Sequence, residues 1–584
     1  MRGRAALLFA LAAAMVLPRQ LHAQRPDRAP LPVARANDNR SAGGRASADG
    51  LTVTLTARLG RWFPDGRRRP AALVVPAFAE GEGVPRIPGP LIRVRSGTRV
   101  RVTVRNALDG ALAGSPLVVH GLHARPGAAD TIRVEPGHSR VVSFQAGAPG
   151  TYHYWASVSD TTTLDARNGI DSQLSGAVVV DPAEGPIPTD RVFVLGRMLL
   201  PAQGEGATRQ PGRFVVTING LSWPHTERLH ATVGDSVRWR WINTTDEHHP
   251  IHLHGFYFRV DAVGDGARDT TYAADRQRSV VTERMNPGST MAMTWVPERS
   301  GNWLVHCHLK AHSGPDATWG FPDVPGTGAF GSAYTASVPR GRDHAAPHGR
   351  HDMERDMAGM ILGIHVRAPR GRAARPAESG ATRHHVRLTV LPHPTPPGAT
   401  PVIANRVEEP GRGGSASQSA AVGPAIVLRR DVPATITVVN RLAEPTALHW
   451  HGIELESYFD GAPGWTGGLG GGAGGRLSPA IGPGESFDAL MTPPKSGTFI
   501  YHSHALSSTQ MGDGLYGPLI VLEPSEAYRP ESEIVWIVGG RERGDGEMAF
   551  LLLNGERRPR ELSLVAGARY RVRLINITES NTAD

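Results

Sequence analysis

Apolar and polar residues alternate along most of this chain. Runs such as Val100-Arg101-Val102-Thr103-Val104-Arg105 put every second side chain in the apolar class. That period of two turns one face of a strand toward a core and the other toward water. The runs are short, rich in Val, Thr and Arg and bounded by Gly and Pro, so they predict an all-β protein. Four stretches share one opening, a strand entered through a Gly or Pro turn and ended by Asn: 94–106, 232–243, 429–440 and 565–576. Downstream, Pro149-Gly150-Thr151-Tyr152, Ser300-Gly301-Asn302-Trp303 and Ser496-Gly497-Thr498-Phe499 each open a hydrophobic strand.

Internal similarity of this kind predicts tandem β-sandwiches. Full copies are expected over 50–182, 187–367 and 383–527, with an Arg/Pro-rich linker over 368–382 and the opening of a fourth copy over 531–584. The fourth copy ends shortly after its Asn576 and lacks the strands that close a core. A truncated chain is the expectation, and a stub packed on a neighbour the alternative.

Composition narrows this picture. A length of 584 residues is too great for one core, and 69 glycines with 48 prolines suit many turns. The formal charge of +9 comes almost wholly from scattered arginines, with Lys only at 310 and 495, so no nucleic-acid partner is expected. Arg2 and Arg4, the apolar run Ala5 to Leu17 and Leu21-His22-Ala23 predict an export signal over 1–23, followed by a flexible lead-in over 24–49. The apolar run is too short to span a bilayer and no other segment qualifies. A periplasmic or secreted protein without a membrane span follows. A single cysteine excludes an intrachain disulfide framework.

That cysteine lies in His306-Cys307-His308. On a strand Cys307 faces one way and both histidines the other, so one tripeptide can touch two metal centres. Aligned on the shared signatures, His252-Leu253-His254-Gly255 falls opposite His449-Trp450-His451-Gly452, and His306-Cys307-His308 opposite His502-Ser503-His504. The first repeat offers Val118-Val119-His120-Gly121 and Trp155-Ala156-Ser157 there. One His-x-His pair is explained as well by a polar strand face. Four pairs at matched places point to late divalent metals, copper among them, and eight imidazoles need two or three ions. On the other face, His249 and His312 flank Cys307, and two imidazoles with one thiolate form the trigonal set of a blue-copper site. The strand resumes at Ala358-Gly359-Met360-Ile361, which makes Met360 the expected weak axial ligand, or else a core methionine.

With these motifs the chain resembles the multicopper oxidases, the group containing laccases, metal-ion oxidases and ceruloplasmin. The resemblance rests on His249-Pro250-Ile251-His252-Leu253-His254-Gly255, His306-Cys307-His308 with His312, His449-Trp450-His451-Gly452 and Tyr501-His502-Ser503-His504. It implies tandem cupredoxin-like Greek-key β-sandwiches and copper as cofactor. The implied type 1 copper sits on His249, Cys307, His312 and Met360, and the type 2 copper on His252 and His449. The implied type 3 pair uses His254, His306, His308, His451, His502 and His504. The resemblance also gives Asp460, in Tyr458-Phe459-Asp460-Gly461, a part in proton delivery, although Asp-Gly is an ordinary turn too. Laccases put the His-Trp-His-Gly domain first and the Cys domain last. Here the Cys repeat comes earlier, behind an inactive one. The cluster must then lie between the second and third repeats, within one chain or across two, and the oligomeric state stays open.

The implied reaction couples one-electron oxidation of a small reducing substrate to four-electron reduction of O₂ to water, with electrons passing from Cys307 through its backbone to His306 and His308. Phenols and aromatic amines are the default substrates. A cuprous or ferrous ion is the alternative, for which Asp246 and Glu247 offer carboxylates, unless they form a plain acidic turn. The insertion 313–352, with His344, His348 and His351, reads as a surface loop, a lid or a loose copper-binding loop. A copper nitrite reductase and a non-catalytic copper-binding electron-transfer protein are the rivals from other classes.

Overall fold

The computed structural model describes residues 30–66, 72–122, 131–200, 213–309, 312–313, 357–369, 382–394, 402–409, 412–416, 422–468, 475–504, 510–541, 550–559 and 561–578. The expected export signal, nearly all of the insertion and most of the linker lie outside these residues. The regular structure is almost entirely β, arranged as successive two-sheet sandwiches. Among the described residues no helix is long and apolar enough to cross a membrane.

The alternation seen in the sequence becomes alternating burial. Along Arg99–Asn106, Val100, Val102 and Val104 are buried while Arg99, Arg101 and Arg105 are exposed. The first sandwich pairs a seven-stranded with a five-stranded sheet around Val53, Leu55, Val102, Tyr152 and Tyr154. The second repeats that arrangement around Trp239, Trp241, Trp295 and Trp303. The third uses five and four strands. A three-stranded sheet of Glu533–Arg541, Phe550–Leu553 and Arg571–Asn576 follows, and its Ile537 and Ile575 pack on Val422, Met511 and Tyr516 of the third sandwich.

The recurring Asn has a structural reason. Its side-chain oxygen accepts an N–H two residues on, from Leu108, Thr245 and Leu442 in the three sandwiches. Its amide donates across to a neighbouring hairpin: Asn106 to Val134 O, Asn243 to Met285 O and Asn440 to Ile481 O. One buried side chain thereby fixes the loop that leads, in the second repeat, to His249.

The structure corrects the reading of the lead-in. Within 24–49, Arg35–Ala36 pairs with Arg86–Ile87 and Arg45–Ser47 with the long strand Gly50–Trp62. Asn37 and Asn39 are buried and hydrogen-bonded. These residues complete the first sheet because its edge strands have backbone groups to satisfy.

The sandwiches are also docked on one another. Leu91, Ala177 and Val179 of the first meet Val192, Val194 and Ile242 of the second. Between the second and third, Trp223, Leu304 and Ile361 meet Ala462 and Trp465. Hydrogen bonds reinforce this second seam: Asn302 Nδ2 donates to Trp465 O (3.0 Å), Trp465 Nε1 to Trp303 O (3.0 Å) and Ser457 Oγ to Asn302 O (2.5 Å). A Cβ at Gly363 would lie 2.3 Å from the Trp465 ring, so only glycine admits that contact.

Candidate metal centre

Two strand pairs build the site. His249–Leu253 runs antiparallel to Gly301–Cys307 with His252 opposite His306, and Leu448–His451 runs antiparallel to Gly497–Ser503 with His449 opposite His502. Period-two alternation sends both imidazoles of each pair to one face, and the docked seam turns the two faces toward each other. All eight imidazoles meet within one chain. Their ring nitrogens form three groups: His252, His254 and His449; His254, His306 and His504; and His308, His451 and His502. His252 Nε2 lies 3.3 Å from His449 Nε2, and His254 Nε2 3.0 Å from His306 Nε2.

The outer nitrogens explain which atoms face inward. Nδ1 of His252 bonds Val281 O (2.8 Å), that of His306 bonds Cys307 O (2.9 Å), that of His449 bonds Asp460 O (2.8 Å) and that of His502 bonds Ser503 O (3.0 Å). A carbonyl can only accept, so each of these Nδ1 atoms carries the proton and leaves Nε2 as a lone-pair donor. Asp460, fully buried, completes the set: its Oδ2 is 2.8 Å from His254 Nδ1. Among the described residues, His451 Nδ1, His502 Nε2 and His504 Nδ1 are buried without a hydrogen-bond partner. Buried nitrogen without a partner is costly, and here it borders the cage. This donor set fits copper.

Electrostatics point the same way. Burial first, and then the neighbouring imidazoles, hold His252, His254, His308 and His504 well below the usual histidine range. The same two effects lower His451 and His449, the latter partly offset by its bond to Asp460. Burial lowers His306 and His502 to about 4, partly offset by their carbonyl bonds. Neutral rings can bind a cation without first losing a proton. Burial alone pushes Asp460 well above the usual carboxylate range.

On the reverse face of the same strand, Cys307 Sγ lies 3.5 Å from both His249 Nδ1 and His312 Nδ1. All three residues are buried, and burial pushes the thiol up. Met360 is fully buried in the same core, its carbonyl accepting from Cys307 N–H (3.0 Å) and its own N–H donating to His312 O (2.8 Å). The outer nitrogen of His249 is tied to Thr245 Oγ1 (2.7 Å), and that of His312 lies 3.3 Å from Glu247.

Three features escaped the sequence. Thr282 Oγ1 stands 3.1 Å from both His252 Nδ1 and His451 Nε2, linking histidines of two repeats; it lies far from every motif. Asp246 and Glu247 form neither a cation site nor a solvated turn. Arg197 binds Asp246 (2.6 Å) and Glu247 (3.0 Å), and Asn168 of the first sandwich also donates to Asp246. Finally, strand register sets His120 opposite Trp155, the pairing that His252 makes with His306. Motif alignment of the first repeat is therefore two residues out of step with its strands, and His120 stacks on Trp155 at 4.0 Å.

Family models described as multicopper oxidase match residues 199–325 and residues 85–184 with 412–526, together more than half of the chain. A probable nitrite reductase–hydroxylamine oxidoreductase fusion protein of Kuenenia stuttgartiensis is 30% identical over 241 residues, covering 39% of this chain and 26% of that protein. The multicopper oxidase MmcO of Mycobacterium tuberculosis is 30% identical over 174 residues, covering 28% of this chain and 31% of that protein. The matches thus span only about a quarter to a third of these relatives. Among solved structures, the blue copper oxidase from Nitrosomonas europaea aligns at 20% identity with a TM-score of 0.37, covering 54% of this chain and 85% of that one.

Proposed function

This chain belongs to the multicopper oxidase family, and from that premise we propose that it is an exported oxidase that draws single electrons from a small organic reductant and spends four of them reducing dioxygen to water. The observation that carries this reading is the meeting of eight imidazoles from two repeats directly behind the strand that bears Cys307. His249, Cys307 and His312, with Met360 as a weak fourth donor, would hold one copper ion. His252 and His449 would hold a second. His254, His306 and His504 would hold a third, and His308, His451 and His502 a fourth. Copper bound there supplies one-electron redox chemistry at the cysteine and a store for several electrons at the cage.

The chain's own residues do the rest. Cys307 joins the two sites through its backbone, since His306 and His308 are its immediate neighbours. Buried Trp303, Val305 and Leu362 keep water from the thiol. Asp460 orients His254 through Oδ2 and His449 through its carbonyl, and its Oδ1, which has no hydrogen-bond partner, is the oxygen open to accept a proton beside the cage. Asp246 and Glu247 beside His312 are committed to protein partners, Asp246 to Arg197 and Asn168 and Glu247 to Arg197 and His312, which favours a phenol or aromatic amine over a cuprous or ferrous ion that would need those oxygens as ligands.

The test is copper content, absorption, electron paramagnetic resonance and oxygen uptake of copper-loaded protein, with a phenol and with ferrous iron compared. The expected result is about four coppers per chain, a blue thiolate band, an EPR-silent pair and faster uptake with the phenol. A colourless protein defeats the cysteine assignment. About one copper with no oxygen uptake supports an electron carrier, and nitrite reduction with about two coppers a nitrite reductase.

A further inference from the structure

The second and third repeats can be superposed through their hydrogen bonds alone. Cys307 N–H donates to Met360 O (3.0 Å), and Met360 N–H to His312 O (2.8 Å). In the third repeat Ser503 N–H donates to Leu515 O (3.0 Å), and Leu515 N–H to Gln510 O (2.9 Å). His249 pairs with Met285 and Thr446 with Ile481, each three residues before the first histidine of its pair. Thr446, Ser503 and Gln510 therefore stand where the second repeat has His249, Cys307 and His312.

They are not idle replacements. All three are almost wholly buried. Gln510 Oε1 accepts from Thr446 Oγ1 (2.8 Å) and Ser503 Oγ (2.7 Å), while Gln510 Nε2 donates to Pro445 O (2.9 Å). One amide thus ties the start of the His449–His451 strand to the residue between His502 and His504. In the first repeat, which carries no histidine pairs, the residue with the backbone bond of Cys307 is Ala156, donating to Leu174 O (2.8 Å). The polar plug is present in the repeat whose other face bears ligands and gives way to alanine where there are none.

We propose that Gln510 is a positioning residue for the histidine cage, holding the third repeat's two ligand strands in register by hydrogen bonds where the second repeat has a metal-binding set. The inference rests on the cage assignment made above. A buried amide bonded on both sides has one low-energy pose, and outer residues that fix ligand orientation typically change metal affinity by about 10–100-fold when lost.

The experiment is a copper titration of the metal-free full chain, following total copper, the blue band and the cage signals by electron paramagnetic resonance. Gln510→Met keeps side-chain length but cannot hold both hydroxyls and the Pro445 carbonyl. It should raise the half-saturation of the cage at least about ten-fold and leave the blue band of the Cys307 site unchanged. A role confined to stability would lower the melting temperature and leave the cage half-saturation alone, and that result overturns the proposal. Should Gln510→Met fail to fold, as shown by loss of the blue band, Ser503→Ala removes one of the same bonds and is judged by the same shift. If the wild-type protein itself takes up copper only at the blue site, the cage assignment falls and this inference with it.

Discussion

The second and third repeats present the same histidine pairs from the same two strands, yet their reverse faces differ. Behind His306 and His308 stand a thiol and two imidazoles; behind His502 and His504 stand a serine, a threonine and a glutamine. The difference teaches that the sandwich dictates only where side chains point. A strand alternates its faces whatever it carries, so the inward face can be held constant for a shared cage while the outward face carries a thiol with two imidazoles in one repeat and a hydrogen-bonded polar trio in the other.

The strongest way to break this comparison is to make the second repeat resemble the third. Cys307→Ser should abolish the blue band and lower the oxidase rate by several orders of magnitude, while copper analysis still finds the cage ions. Activity close to wild type would mean that electrons do not enter through Cys307. A smaller effect is expected at the group that serves both repeats. Asp460→Asn keeps the shape but loses the carboxylate bonded to His254, and should slow oxygen consumption about 10–100-fold with the blue band intact. A rate within about two-fold of wild type would reduce Asp460 to a turn residue.

The smallest effect belongs to both repeats equally. His306 and His502 sit at about 4 in the folded protein, below the ordinary value of 6.5. As pH falls through about 6.5 the unfolded chain takes up protons that the folded one refuses. The metal-free protein should therefore lose stability progressively from about pH 6.5 down to about pH 4 and show no such dependence above that window. Melting curves of metal-free protein across this range check it, and a flat profile would deny that these rings are buried and neutral.

How much of this could be read from the chain depended on locality. The alternation, the repeats and the eight paired histidines were legible because each is a short pattern with a fixed physical period. Cys307, His249 and His312, which the structure brings together, were legible as neighbours for the same reason. Asp460 stood only as a turn with a family role, because its partner His254 is 206 residues away. Thr282, Arg197 and Gln510 carried no pattern, since each acts through a contact that exists only after sandwiches pack or loops close. The first repeat misled in a different way: its His120-Gly121 imitates the motif, and only the register with Trp155 exposes the two-residue offset.

The seam between the second and third sandwiches has one further consequence. Its fastenings, from Asn302 and Trp303 to Ser457 and Trp465, are bonds between protein groups and owe nothing to a bound ion. The facing of the two histidine-bearing surfaces is therefore governed from outside the cage. A change at Asn302 or Trp465, neither of them a histidine of the cage, would slide one row of imidazoles past the other, so the seam is the hinge-pin on which the spacing of the whole cluster turns.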